Sequence, residues 1–266
     1  MSCNALFDAS SYVVLELLTE RSRSMRGIGA KSVCRRFGGT LRSRSLRGTL
    51  MLTLVIGNKN LSSWSLRPWL LLRQFDVAFE ERMLLLDTPG FEAQIAAWSP
   101  NRRVPALHHD GLLVWDSLAI CDYVNETFLA GRGWPDDAKL RALARSAVAE
   151  MHSGFAALRK QLPMNCARQP DGAFWDEEAS RDIARIQQLW ITLKSAHDNQ
   201  GGFLCGEFGI VDAMFAPVAV RFAGYGVEMD GTARAFVDAI YALPAFREWH
   251  AAGVAETLRT PPATAP

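Results

Sequence analysis

Strand and helix signals alternate along residues 51–128, and beyond the segment Gly131-Arg-Gly-Trp-Pro135 the strand signals cease. That single change of pattern constrains the fold most, because a short α/β unit followed only by helices must pack as two layers of different kind. Residues 52–56 are aliphatic and β-branched and end at Gly57-Asn58, which predicts a strand. Leu66, Trp69, Leu70, Leu72 and Phe75 then recur at helical spacing. Residues 77–86 alternate weakly and predict a second strand, and 91–98 a short helix. Residues 104–108 and Leu112–Trp115 flank Asp110-Gly111, a turn pair that predicts a hairpin. Asp116 opens a further helix that runs to 128. The order is βαβ, helix, ββα. Helical patterns then cover about 137–162, 174–196, 209–222, 232–241 and 245–258. The expected organisation is an α/β domain at 51–130, a linker at 131–136 and an all-helical domain at 137–258, with a site in the cleft between the two domains.

The first fifty residues differ. They hold eight Arg and one Lys against three acids, a net of +6, which leaves −5 for residues 51–266 of a chain whose total is +1. Residues 21–47 mix Arg, Ser and Gly with few large apolar side chains, a composition that predicts disorder. An Arg- and Ser-rich, acid-poor leader also fits an organelle-targeting peptide. The plainer reading is a disordered basic extension, or one upstream of the true start at Met51, with residues 259–266 a tail. The near-zero total charge argues for neither nucleic acid nor a membrane surface as partner. The apolar run at 12–18 is too short to span a bilayer, and no other stretch approaches eighteen apolar residues. Five cysteines (Cys3, Cys34, Cys121, Cys166, Cys205) form no CxxC pair, which predicts a reducing, cytoplasmic setting. The five histidines offer no HxxxH or HExxH spacing, so no metal site is expected.

Three segments carry candidate chemistry. Pro68 lacks an N–H and belongs in a first helical turn, which puts a helix start near Ser63–Ser65. Ser62 and Ser63 then sit beside free backbone N–H groups and the positive end of the helix dipole, a place that stabilises an anion such as a thiolate, although serine N-capping explains the same residues. Second, Val104-Pro105 enters a strand and is a candidate cis bond. In that form the Val104 backbone N–H and C=O are offered to a peptide-like ligand. Third, Asp116 and Ser117 follow a strand and open a helix. There Ser117 can donate to a carboxylate and Asp116 can accept from an ammonium, while helix capping again explains both.

A thiolate site, a strand-like backbone clamp and a carboxylate-plus-ammonium site together describe a small anionic peptide with a thiol. Over about residues 51–255 the chain resembles the glutathione S-transferase superfamily. Ser62-Ser63-Trp64-Ser65-Leu66-Arg67 is similar to the SSCSxR element of the zeta class, Val104-Pro105 to the family's cis-proline strand, and Asp116-Ser117 to the pair that holds glutathione's γ-glutamyl end. Gly209 through Pro217 resembles the family's buried N-capping box and its helix. Trp64 stands where the zeta element has cysteine, and Gly209 where the box has Ser or Thr, which leaves Asp212 half of a reciprocal pair. The four tyrosines (Tyr12, Tyr123, Tyr225, Tyr241) are remote from the first strand, which disfavours Tyr-activated chemistry.

The resemblance implies a thioredoxin-like α/β domain followed by a helical bundle, a homodimer, and glutathione as co-substrate with no metal. It implies that Ser62 donates to the glutathione sulfur, with Ser63 the close second choice; of the cationic candidates for the ligand's carboxylates, Arg67, Arg102 and Arg103, the family position favours Arg67, and solvation alone accounts for the other two. A small electrophile is then expected against Met151-His152-Ser153-Gly154-Phe155, residues that helix packing also accounts for. Three functions follow: conjugation of glutathione to electrophiles, zeta-like cis–trans isomerisation, or a glutathione- or partner-binding module without turnover.

Overall fold

The structure, a computed structural model, describes residues 52–198 and 201–257. All of them lie in the unit Arg47–Pro266. The predicted basic extension at 1–50 and the tail at 259–266 fall outside the described residues.

Four strands form one mixed sheet in the order β2-β1-β3-β4. They are β1 (Leu52–Ile56), β2 (Glu80–Met83), β3 (Ala106–His109) and β4 (Leu112–Trp115). β1 runs parallel to β2 and antiparallel to β3, and β3 is antiparallel to β4. The sequence of β1 is apolar almost throughout because the strand is central and covered on both sides. Its side chains alternate between two cores. Leu52, Leu54 and Ile56 join the large core, and Val55 joins a small one with Leu84, Ile95 and Ala106. The predicted hairpin forms as expected: Asp110 and Gly111 have φ of 46° and 86°, as a two-residue turn with both central residues left-handed requires. β2 is shorter than the predicted 77–86, and as an edge strand it is half-exposed to exposed along its length.

Helices α1 (Ser63–Gln74), α2 (Phe91–Ala96) and α3 (Ser117–Thr127) complete the α/β part. α1 begins where predicted, but Pro68 is its sixth residue and lies beyond the first turn. Six further helices follow: α4 (Ala138–Ser153), α5 (Ala156–Gln161), α6 (Glu177–Ser195), α7 (Ile210–Tyr225), α8 (Gly231–Ala242) and α9 (Pro244–Thr257). The single helix predicted at 137–162 is in fact two. Phe155 adopts a left-handed φ of 59° and buries its ring, and a Cβ at Gly154 would lie 2.8 Å from the Glu150 carbonyl oxygen. α6 starts at Glu177, after the 174 of the sequence reading, because Asp176 caps it through Ala179 N–H.

α7 is buried along nearly its whole length and is the axis of the molecule. α1 packs on α7 and α9, and α3 also touches α7. One apolar core therefore runs from the sheet through Leu66 and Trp69 to Phe215 and Trp190 among the helices. Covering α1 on this side leaves its N-terminus at the seam between the two layers.

Candidate functional site at the start of α1

The loop from β1 to α1 is held from several directions. Asn58 Oδ1 accepts from Leu86 N–H at 2.7 Å, and Asn58 O accepts from Ser62 N–H at 2.8 Å. The Glu256 carboxylate on α9 accepts from the backbone N–H groups of Lys59 and Asn60 at 2.9 and 3.0 Å. Asn60 Oδ1 in turn accepts from Cys166 N–H at 2.8 Å. Each of these bonds satisfies a backbone donor that the bend would otherwise strand, so the loop conformation is fixed by partners distant in sequence.

Ser62 is the N-cap of α1 and Ser63 its first residue, and both are buried. No side chain caps the helix, and no acidic residue stands in its first turn. The Ser62 hydroxyl donates to Ser65 Oγ at 2.8 Å, and Ser65 Oγ also accepts from Gly57 N–H at 3.1 Å. The Ser63 hydroxyl forms no hydrogen bond among the described residues. The two serines therefore differ locally: the Ser62 hydroxyl is bonded within its own helix turn, and that of Ser63 is not.

Ser62, Ser63 and Trp64 line one cavity together with Arg103 and Val104. The Val104-Pro105 peptide is cis, as the sequence reading expected. Arg102, Arg159 of α5 and Arg221 of α7 line it too. The sequence offers residues 151–155 for the electrophile, with packing in the helix bundle as the favoured account of them. Met151 and Phe155 are indeed buried in the core, and it is Arg159 of α5 and Arg221 of α7 that line the cavity. Their separation in sequence gave no signal that they converge.

Asp116 and Ser117 are the N-cap and first residue of α3 and do not line this cavity. Asp116 has a φ of 78°, and its Oδ1 accepts from Leu118 N–H at 2.8 Å. Its Oδ2 lies 3.1 Å from Nε2 of His152. The Ser117 hydroxyl is buried without a partner, as a donor kept for a ligand carboxylate would be. His152 links the two places, because its ring meets Trp64 edge-on with centroids 5.3 Å apart. Burial lowers the His152 pKa against the attraction of Asp116, with Arg67 and Arg159 adding to the lowering.

Arg67, a sequence candidate for binding a ligand carboxylate, is fully buried and does not reach the cavity wall. Its guanidinium stacks over Trp64 at 4.2 Å from the ring centroid, and that of Arg159 lies over the same ring at 4.6 Å. None of the three Arg67 nitrogens has a hydrogen-bond partner. Desolvation pushes the Arg67 pKa well down, and repulsion by Arg159 and Arg221 adds to it. Trp64, which replaces the cysteine of the zeta element, is therefore the aromatic ring over which two cations lie, the buried Arg67 and the half-buried Arg159.

Residues 61–127 match the family model of the glutathione S-transferase N-terminal domain. That match and the relatives below support the glutathione S-transferase superfamily, and the fold is a thioredoxin-like α/β domain followed by an all-helical one. It is 26% identical over 193 residues to maleylacetoacetate isomerase of Rattus norvegicus, covering 71% of this chain and 87% of that protein. With the Mus musculus maleylacetoacetate isomerase it shares 29% over 170 residues, 63% of this chain and 76% of the relative. Among solved structures, a glutathione transferase homologue from Burkholderia with bound glutathione superimposes with a TM-score of 0.57 at 22% identity, covering 79% of this chain and 99% of that one. Among the described residues, no group of three or more His, Cys, Asp or Glu is placed to hold a metal, and no helix is long and apolar enough to cross a membrane.

Proposed function

We propose that the chain is a glutathione transferase in which residues 51–130 bind glutathione and the start of α1 activates its thiol for attack on a small electrophile. The observation that carries this reading is the unbonded hydroxyl of Ser63 at an uncapped helix N-terminus, in a cavity it shares with Val104 beside the cis peptide. A free thiol has a pKa of about 8.5, so little thiolate exists at neutral pH. Lowering that value by about two units takes ~2.7 kcal/mol. One hydrogen bond to a charged group is worth ~1.5–3 kcal/mol, and a helix N-terminus adds ~0.3–1 kcal/mol. Arg159 and Arg221 in the lining of the same cavity favour the thiolate further. In this reading Ser63 donates to the sulfur, Ser62 holds the turn through Ser65, Val104 pairs with the peptide backbone, Arg103 stands beside it, and Asp116 with Ser117 receives the γ-glutamyl end.

The isomerase relatives support a second reading, glutathione-dependent cis–trans isomerisation, in which glutathione is regained at each turnover. Titration of the protein with reduced glutathione and with S-methylglutathione tests the shared premise. Proton release on binding the first ligand and not the second means the thiol ionises in the site. Absence of binding to a folded sample removes the reading. Glutathione consumption then separates the two reactions, and binding without any turnover leaves a non-catalytic module.

A further inference from the structure

Asp116 divides its two carboxylate oxygens between two helices. Oδ1 caps α3, accepting from Leu118 N–H at 2.8 Å and, at the longer distance of 3.5 Å, from Ala119 N–H. Oδ2 takes no part in the cap and lies 3.1 Å from Nε2 of His152, the last residue but one of α4. A cap needs one oxygen, so nothing within α3 decides where the second one points. The contact with His152 decides it, while the Asp116 side chain stays 44% exposed and open to a further donor.

His152 is itself held from two sides. Its ring meets Trp64 edge-on. The carbonyls of Met151 and Gly154, which bracket it in sequence, both accept from the guanidinium of Arg159, and that guanidinium lies over the same Trp64 ring. The turn that presents His152 is thus tied to α1 and α5. Burial lowers the His152 pKa, so at neutral pH the imidazole is neutral and has one proton to share. A carboxylate only accepts, which assigns that proton to Nε2. Nδ1 is buried without a partner and draws the ring nowhere else. Next to Asp116, the Ser117 hydroxyl is also buried without a partner. The start of α3 therefore sets an oriented acceptor beside a free donor, a pattern that matches an ammonium and a carboxylate on one carbon.

We propose that His152 is a positioning residue, whose Nε2–H holds the Asp116 carboxylate in the orientation that takes the ligand's ammonium and so makes the site demand one. This rests on the glutathione reading above and names the residue that makes its γ-glutamyl end selective. A carboxylate fixed in advance gives up little freedom when the ammonium arrives, whereas one released from His152 must first be ordered.

The test is calorimetry on the full chain at neutral pH and fixed ionic strength, with S-methylglutathione and its deamino analogue, S-methyl glutaryl-cysteinylglycine, which has hydrogen in place of the ammonium. The unmodified protein is expected to bind the first about tenfold more tightly, the worth of one charge-assisted bond. His152→Phe keeps a ring against Trp64 and has no N–H, and is expected to cut that preference to about threefold or less. His152→Gln carries an amide N–H of similar reach and is expected to restore it. The ratio of the two ligands is the readout, because a general loss of folded structure weakens both alike. A phenylalanine variant that keeps the full preference, or loses affinity for both ligands equally, overturns the proposal, as does a glutamine variant no more selective than it. Equal binding of the two ligands by the unmodified protein also overturns it, and needs no variant to fold. Failure of S-methylglutathione to bind at all sinks the glutathione reading, and the role of His152 falls with it.

Discussion

The carbonyl oxygen of Gly133 stands where a side chain on Gly209 would begin. A Cβ at Gly209 would lie 2.7 Å from that oxygen, and the same oxygen accepts from Ile210 N–H at 2.9 Å. Gly209 is the N-cap of α7 and has no hydroxyl with which to satisfy the helix. The linker carbonyl occupies the space instead and receives the first N–H. Gly133 is tied from its other side, since its N–H donates to Asn125 Oδ1 at 2.7 Å.

This predicts that Gly209→Ser destabilises the protein, although serine is the better N-cap in general. The gain of serine over glycine as a cap is only about a few tenths of a kcal/mol, and a backbone-to-Cβ overlap of this size requires the linker to shift, at about 1–3 kcal/mol. Urea unfolding of the variant is expected to show a lower midpoint at unchanged slope. A midpoint at or above that of the parent would show that the linker yields freely.

Asp212 supplies the other half of the capping box. Its two carboxylate oxygens accept from Leu204 N–H and Gly209 N–H, each at 2.9 Å. Complete burial pushes its pKa up to about 7, although those bonds favour the ionised form. The folded value lies above the unfolded value of about 3.9, so the folded state holds its proton more tightly. The contribution is therefore fully present below about pH 4 and is lost as pH rises through about 7. Asp212→Asn removes the titration together with one acceptor, and so lowers stability overall. Its deficit relative to the parent is expected to shrink as pH rises from 4 to 8. A deficit independent of pH across that range would mean that Asp212 does not titrate there.

Local signals account for the parts of this architecture that the sequence displays. Asp110-Gly111 dictates its hairpin because both residues tolerate left-handed φ, and the serines place the start of α1. The break between α4 and α5 is not legible in the same way. Phenylalanine has no preference for the left-handed conformation of Phe155, which is imposed by burying its ring. Gly209 reads in sequence as a lost cap, because the compensating carbonyl comes from residue 133. Likewise Ser62 and Ser63 are indistinguishable as letters. Only the bond from Ser62 to Ser65 separates them. Of the two arginines over Trp64 the sequence offers Arg67; Arg159 reaches the same ring from α5, which no local signal announces.

The serines make a direct prediction of activity. Ser63→Ala is expected to lower kcat/KM for thiol transfer by about 10- to 100-fold, the loss of one hydrogen bond to a charged sulfur. The pH–rate profile of the variant should also move to higher pH, as the bound thiol returns toward its free value. Ser62→Ala should act chiefly on stability, since it removes a buried bond to Ser65 and leaves the Ser63 donor in place. Reversal of these two phenotypes would assign the sulfur to Ser62.

Arg67 tests whether buried charge here serves function and not folding. Its guanidinium has no hydrogen-bond partner, and its one close aromatic contact is with Trp64. That contact, desolvated, is worth on the order of 2 kcal/mol, whereas an ion removed from water costs several. Methionine has nearly the same length, fills the space and carries no charge. Arg67→Met is therefore expected to raise the melting temperature of the ligand-free protein by a few degrees, about 1 kcal/mol or more. The same substitution takes one positive charge from beneath Trp64, so it should weaken the binding of glutathione, which carries net negative charge. A variant that melts lower than its parent would show that Arg67 contributes to the fold through its charge, and that its isolation in the core is compensated elsewhere.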